Sequence, residues 1–226
     1  MTEKTVILAI DTSDTSTGMA LISEDGILGA RNLDMNKGRD SILSDLQIEL
    51  TAECNLKLQE LSGIAVSMGP GSFTGLRVGL AYAKGICFAL DIPLFGIDSL
   101  EALAHSAIAN EKSIVPMIHA KGDEVYIAVF RTIKGQLKRI AQNSLIDFRN
   151  ISSVVKDTPL FIGSGYTRHR KELSEIFSDY SEIEAFPQTT SVIQTAKLGY
   201  SAFLAGKSVN LLNFEPKYLQ NFPRSS

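Results

Sequence analysis

At 226 residues, with 44% hydrophobic and 21% charged side chains, the chain is long enough for one large domain or two small ones around a sizeable core. A formal net charge of −3 excludes a basic field that could hold nucleic acid by counterion release, so direct nucleic-acid binding by this chain alone is not expected. The first residues lack the layout of a secretion signal and no apolar run approaches membrane-spanning length, so a cytoplasmic location without membrane contact is expected.

Val6-Ile-Leu-Ala-Ile10 is a continuous apolar run, which predicts a central strand buried on both faces. It ends in Asp11-Thr-Ser-Asp-Thr-Ser-Thr17, whose small hydroxyl and acidic residues read as a turn. Gly18–Ile22 and Ile27–Leu33 flank Glu24-Asp25-Gly26, and the Asp-Gly pair predicts a tight hairpin. From Ser41 the period becomes helical, with Leu43, Leu46, Leu50 and Cys54 on one face. Ile64–Ser67 then reads as a strand, Gly69-Pro-Gly-Ser-Phe-Thr-Gly75 as a loop and Leu76–Leu90 as a helix. Pro93–Ile97 returns as a strand parallel to the first. Ser99 is expected to cap a further helix through about Ala109. The two cysteines, Cys54 and Cys87, lie far apart in apolar helical stretches and read as buried thiols in a reducing cytosol.

A second half starts near Ser113. Ile114–His119, Glu124–Arg131 and Gln136–Ala141 read as strands, with Lys134-Gly135 as a turn. Leu160–Ile162 is a buried strand, Gly163-Ser-Gly165 leads into a charged helix at Arg168–Phe177, and Ser191–Ala205 is a last helix stopped by Gly206. This half echoes the first. The pattern predicts a duplicated α/β domain, residues 1–110 followed by 111–226, packed tightly because no flexible linker divides them.

Three features carry candidate chemistry. The loop at 69–75 could aim backbone N–H groups at a phosphate, but it lacks the Lys-Ser/Thr of a P-loop and has Thr74 where the dinucleotide pattern needs glycine. Its other reading is a tight turn with Ser72 capping the helix. Gly75, Gly79 and Ala83 recur at steps of four, with Gly85 nearby. Each helical glycine costs about 1 kcal/mol relative to alanine. A ridge of small residues that admits a close neighbour would offset that cost, the neighbour being either the helix at 41–54 or a helix of another chain. Asp11-Thr12-Ser13 has the chemistry for a phosphate or a metal, and equally for an Asx or Ser/Thr turn. His105, His119 and His169 are scattered without a metal-ligand spacing, no Gly-x-Ser-x-Gly elbow occurs, and Arg168-His-Arg-Lys171 is a short solvated patch.

Along nearly its whole length the chain resembles the TsaB (YeaZ-type) family. The resemblance rests on Ile7-Leu-Ala-Ile-Asp-Thr-Ser13, on Gly69-Pro-Gly-Ser-Phe-Thr-Gly-Leu-Arg-Val-Gly79, on Ser99–Ala104, on Glu124-Val-Tyr126 and on Glu215-Pro-Lys-Tyr-Leu219. It implies the actin-like ATPase superfold, built of two ribonuclease-H-like halves. It also implies a non-catalytic subunit that binds and activates the threonylcarbamoyl transferase, TsaD, for threonylcarbamoyladenosine modification of tRNA. The other partners implied are the complex ATPase (TsaE) and a second copy of the chain, with tRNA reached only through the complex. In that superfold an acidic residue at the place of Asp11 opens the first phosphate loop, so Asp11, Thr12 and Ser13 are its candidate remnant. No tightly bound cofactor is expected, and ATP or ADP only at the interface with the partner complex. The related transferase carries a metal-binding HxxxH pair where this chain places Ser99 and Leu103, which cannot bind iron or zinc. The partner interface is expected on Leu43, Leu46, Leu50, Phe73, Gly75, Leu76, Gly79, Leu80 and Ala83. Departures from the family are His119 in place of a frequent Asp, Arg39-Asp40 in place of a His, and Gln220 where Arg is common. The alternative activity is an ATPase or small-metabolite kinase of the same superfold.

Overall fold

The computed structural model describes residues 4–34, 42–107, 112–177 and 192–219. The expected helix starts at Ser41 and Ser191, the helix end at Ala109, and the positions Arg39, Asp40 and Gln220 lie outside those residues.

Two sheets carry the fold, and each begins the same way. β1 (Val6–Asp11) pairs antiparallel with β2 (Ser16–Ser23), β2 pairs antiparallel with β3 (Gly26–Asp34), and β1 pairs parallel with β4 (Gly63–Gly69). β5 (Leu94–Asp98) adds parallel to β4, giving the order β3-β2-β1-β4-β5. In the second sheet β6 (Ser113–His119) pairs antiparallel with β7 (Glu124–Ile133), and β7 with β8 (Gln136–Asp147). β6 also pairs parallel with β9 (Pro159–Ile162), for the order β8-β7-β6-β9. Both expected tight turns form. Glu24 and Asp25 join β2 to β3, and Lys134 and Gly135, both at positive φ (53° and 74°), join β7 to β8 in the handedness that suits twisted strands.

The period-2 alternation sorts the strands into layers. Val6, Leu8 and Ile10 of β1 point to one side, where they pack on Leu43, Leu46 and Leu50 of α1 (Ile42–Glu53) and Leu80, Ala83 and Cys87 of α2 (Phe73–Leu90). Ile7 and Ala9 point the other way, against Val192 and Ala196 of α6 (Val192–Leu204). α3 (Ser99–His105) sets Leu100, Leu103 and Ala104 on Ile114 and Ile118 of the second sheet. The far face of that sheet, Val115, Met117, Val125 and Ile127, is covered by Phe148, Ile151, Tyr166 and Leu173. The order of layers is therefore helices, sheet, the shared α3 and α6, sheet, helices. Fully burying one such aliphatic side chain stabilises by about 1.5–3 kcal/mol, so these faces dominate the fold.

Several local expectations need correcting. The cap of α3 is Asp98, whose side chain accepts from Glu101 N at 3.0 Å, and not Ser99, which is fully buried. A carboxylate at the strand end takes the capping position and also ties the lobes. Its Oδ2 accepts from Asn143 Nδ2 at 2.6 Å and lies 3.5 Å from Arg139 of β8, a guanidinium that also pairs with Glu101 at 3.0 Å. β8 runs to Asp147 and not Ala141, because its pairing with β7 continues past register shifts that break the simple alternation. The charged helix at 168–177 is two short ones, α4 (Ser164–Arg168) and α5 (Arg170–Ile176), broken at His169. Cys87 is buried as expected, with its thiol pushed up to about 12 by burial, whereas Cys54 is only half-buried.

The largest difference concerns the C-terminal residues. α6 belongs in sequence to the expected unit 111–226, yet it packs on the first sheet so closely that a Cβ on Gly199 would collide with the side chain of Ala65. The segment after it stays on the first lobe too: Val209 N donates to Leu94 O at 2.9 Å and Lys217 N to Met68 O at 2.8 Å. Among the described residues one helix, α2, is long and apolar enough to cross a membrane by length and composition, contrary to the sequence expectation. Its leucines, phenylalanines, Val78 and Ile86 raise its apolar character, and Leu76, Leu80 and Cys87 among its residues are buried on the sheet.

Candidate functional site

The end of β1 is closed by its own chain. Asp11 is 2% exposed, and its Oδ1 accepts from the backbone N of Ser13 at 3.0 Å and from Ser13 Oγ at 2.7 Å. Its Oδ2 accepts from Thr195 Oγ1 of α6 at 3.0 Å. Thr12 N donates to Ser67 Oγ at 3.2 Å, and Thr12 Oγ1 donates to Gly75 O at 2.7 Å. Ser13 O accepts from Ser72 N at 2.7 Å. A buried carboxylate is tolerated when charge-assisted donors surround it, and here three do. Sequence reasoning placed Asp11, Thr12 and Ser13 together as a candidate phosphate loop. They are together, but as an Asx turn whose polar atoms are engaged inside the fold.

The same turn explains the glycines. A Cβ on Gly71 would collide with Ser13 O, one on Gly75 with Thr12 O, and one on Gly79 with Thr12 Oγ1. The close neighbour of Gly75 and Gly79 is thus the β1 turn and not a helix, while Ala83 packs in one cluster with Leu43, Leu46 and Leu50 of α1. Ser72 caps α2 as the sequence suggested, accepting from Gly75 N at 3.2 Å. The interface expectation is corrected with it. Leu43, Leu46, Leu50, Leu76, Gly79, Leu80 and Ala83 are buried inside the chain, and Phe73 and Gly75 are half-buried. The sheet needs an apolar cover, and that face of each helix supplies it.

The outward faces of the same helices are apolar as well. Val78 is 50% exposed and Phe88 77%, with Ala81 and Gly85 between them on one stripe of α2, and Ile48 of α1 is 61% exposed. The helices lie side by side, with Tyr82 OH donating to Gln47 Oε1 at 3.5 Å. This stripe was legible in the sequence, since 78, 81, 85 and 88 share a helical face, but the glycine ridge drew the reading to the opposite side. Beside the stripe, the C-terminal segment forms a groove of about 290 Å³ with α2. Arg77 stacks over Phe73, 3.9 Å from its ring centroid, and its Nε donates to Tyr218 OH at 3.0 Å. Lys84 Nζ donates to Leu212 O at 3.3 Å. The contacts to Tyr218 and Leu212 span more than a hundred residues, and no local pattern announces them.

The family model described as TsaD, tRNA N6-adenosine threonylcarbamoyltransferase, matches residues 39–202. A Bacillus subtilis protein described as tRNA threonylcarbamoyladenosine biosynthesis protein TsaB is 31% identical, over 75% of this chain and 76% of its own length. This chain belongs to the TsaB (YeaZ-type) family. A Haemophilus influenzae protein of the same description is 27% identical over 95% of this chain and 93% of that one. The structure of YeaZ from Pseudomonas aeruginosa superposes with a TM-score of 0.73 at 20% identity, covering 95% of this chain and all of that one. The fold is the actin-like ATPase superfold, two tandem α/β halves, as the sequence reading expected.

Ser99 and Leu103, expected from the resemblance to stand where the related transferase has a metal pair, are both wholly buried on α3. Among the described residues no group of three or more His, Cys, Asp or Glu side chains is placed to hold a metal ion. The histidines are less scattered than the sequence suggested. His119 at the end of β6 and His169 between α4 and α5 have ring centroids 6.4 Å apart. His169 stacks on Phe148 at 4.0 Å, is buried, and its Nε2 has no hydrogen-bond partner among the described residues. Burial holds its pKa below the usual histidine value. His105 is likewise held low by burial.

Proposed function

We propose that this chain serves tRNA threonylcarbamoyladenosine biosynthesis as a non-catalytic subunit that pairs with the threonylcarbamoyl transferase, TsaD, and holds it in its working form. The observation that carries the reading is the pairing of a closed strand end with an open apolar face. Asp11, the residue best placed to organise a phosphate or a metal, is engaged by Ser13 and Thr195. Meanwhile Ile48, Val78 and Phe88 are exposed on two adjacent helices. Large apolar side chains grouped on one rigid surface support association with another protein. Because the two subunits share a superfold, each offers the other the helix pair it offers itself, so self-pairing and pairing with the transferase compete. In this reading ATP or ADP is held only where a partner completes the site, hydrolysis belongs to TsaE, and tRNA is reached through the complex.

The test is Val78→Arg, which puts a charge on the outer stripe without touching the core. The expected result is a folded chain that sediments as a monomer, fails to bind the transferase and fails to support modification in a reconstituted assay. Full modification by a variant that no longer pairs would remove the scaffold reading. Steady ATP turnover by the isolated chain that disappears in Asp11→Ala would replace it with the ATPase or kinase alternative.

A further inference from the structure

Arg77 differs from the other anchored arginines. Arg31 holds Glu53, Arg131 holds Asp157, Arg139 holds Asp98 and Glu101, and Arg149 holds Asp147 and Asp123. Among the described residues Arg77 holds no carboxylate, although it is fixed in place by Phe73 at 3.9 Å and Tyr218 OH at 3.0 Å. Two helical turns further along α2, Lys84 is also without a carboxylate among the described residues, its ammonium resting on Leu212 O. Both line the groove of about 290 Å³, and neither pairs with Glu215 on its opposite wall. Between the two cations the surface is apolar, formed by Leu80, Ala81, Phe214 and Pro216. A guanidinium fork pre-oriented by two rings is built to take a planar anion in two parallel hydrogen bonds.

We propose that this groove receives an acidic, apolar-faced segment of the protein that pairs on the outer stripe of α2, one carboxylate meeting Arg77 and another meeting Lys84. The inference rests on the paired-subunit reading, and Ala81 belongs to both the groove and the stripe. The charge pattern selects the occupant. Two cations outweigh the single Glu215 of the groove and leave an excess of positive charge that an acidic partner fills, and the open apolar floor suits a side-chain row better than a nucleotide base. Glu215 adds selectivity, since it repels a segment whose acids lie out of register.

The experiment measures the Kd for the purified transferase, at low and physiological salt, with full-length wild type, Arg77→Gln, Lys84→Gln, Tyr218→Phe and Val78→Arg. Each cation-removing variant is expected to weaken pairing about tenfold, as for the loss of one charged hydrogen-bond pair, and to show a shallower salt dependence. Tyr218→Phe keeps the cation and should stay within about twofold of wild type. If it loses as much as Arg77→Gln, the arginine acts only by fastening the C-terminal segment and the proposal falls. If Val78→Arg abolishes pairing while Arg77→Gln and Lys84→Gln bind like wild type with unchanged salt dependence, the groove is not the acidic site and the pairing face stands. If none of the three alters pairing, the face itself is wrong and the groove proposal goes with it. ATP binding by the isolated chain that Arg77→Gln removes would assign the groove to a nucleotide and overturn the acidic segment.

Discussion

The two lobes start from one plan and finish it differently at the ends of β1 and β6. At the end of β1 a carboxylate is buried and satisfied by three donors, two from its own turn and one from α6. At the end of β6 stands His119, with its Nε2 3.2 Å from Gly122 O, beside a buried His169 whose Nε2 has no partner among the described residues. The strand pairings are alike, antiparallel to one neighbour and parallel to the other. Equal topology therefore does not imply equal chemistry at equivalent positions. What a strand end can do depends on which distant elements reach it.

The comparison can be broken in three places. The largest effect is expected from Gly79→Val, which drives a side chain into Thr12 at the closed end. It should cost about 3 kcal/mol by overpacking, read from urea denaturation. An unchanged midpoint would mean that the turn yields, and that the end of β1 is not tightly built. Next comes Asp11→Ala, which strands the donors of Ser13 and Thr195 in the interior and should cost roughly 2–3 kcal/mol. The equivalent His119→Ala should stay under about 1 kcal/mol. Equal costs for the two would erase the difference between the ends. The smallest effect is the share of the pH dependence that the second lobe contributes through His169. The pKa of His169 is lowered in the fold, chiefly by burial, while Glu172 and Asp123 pull it up and His119 and Arg168 push it down. The unfolded chain takes up a proton near the ordinary value of about 6.5, and the folded chain only at lower pH. Stability is then whole above about pH 6.5 and is lost as pH falls toward the lowered value. A melting temperature that drops between about pH 7.5 and about pH 5.5 in wild type should drop less in His169→Phe, which keeps the stack on Phe148. Identical drops would place the titrating group elsewhere.

Much of the architecture was legible because it is periodic. The apolar run of β1, the helical spacing of Leu43, Leu46 and Leu50, and the Lys134-Gly135 turn all follow from local rules. The site was less legible. α2 has two apolar faces, one carrying Leu76 and Leu80 inward and one carrying Val78 and Phe88 outward, and a helical repeat alone does not say which meets the sheet. The purpose of Gly75 and Gly79 lies in a contact with Thr12, more than sixty positions away in the sequence. The cap of α3 shifted by one residue because Asp98 serves two lobes at once, and only the fold supplies Asn143 and Arg139.

The placement of α6 also has a consequence for how the chain is made. Ile7, Ala9, Ala65 and Phe95 wait for Val192 and Ala196, which leave the ribosome only after the second sheet. During synthesis the first sheet must therefore carry one bare apolar face while the whole second lobe is translated. A nascent chain halted near residue 110 holds all five strands of that sheet but not the helix that seals it. Exposed surface of this kind invites aggregation and chaperone capture. The last helix acts as the closing step of folding for the first lobe, so the two halves, duplicated in plan, mature as one unit.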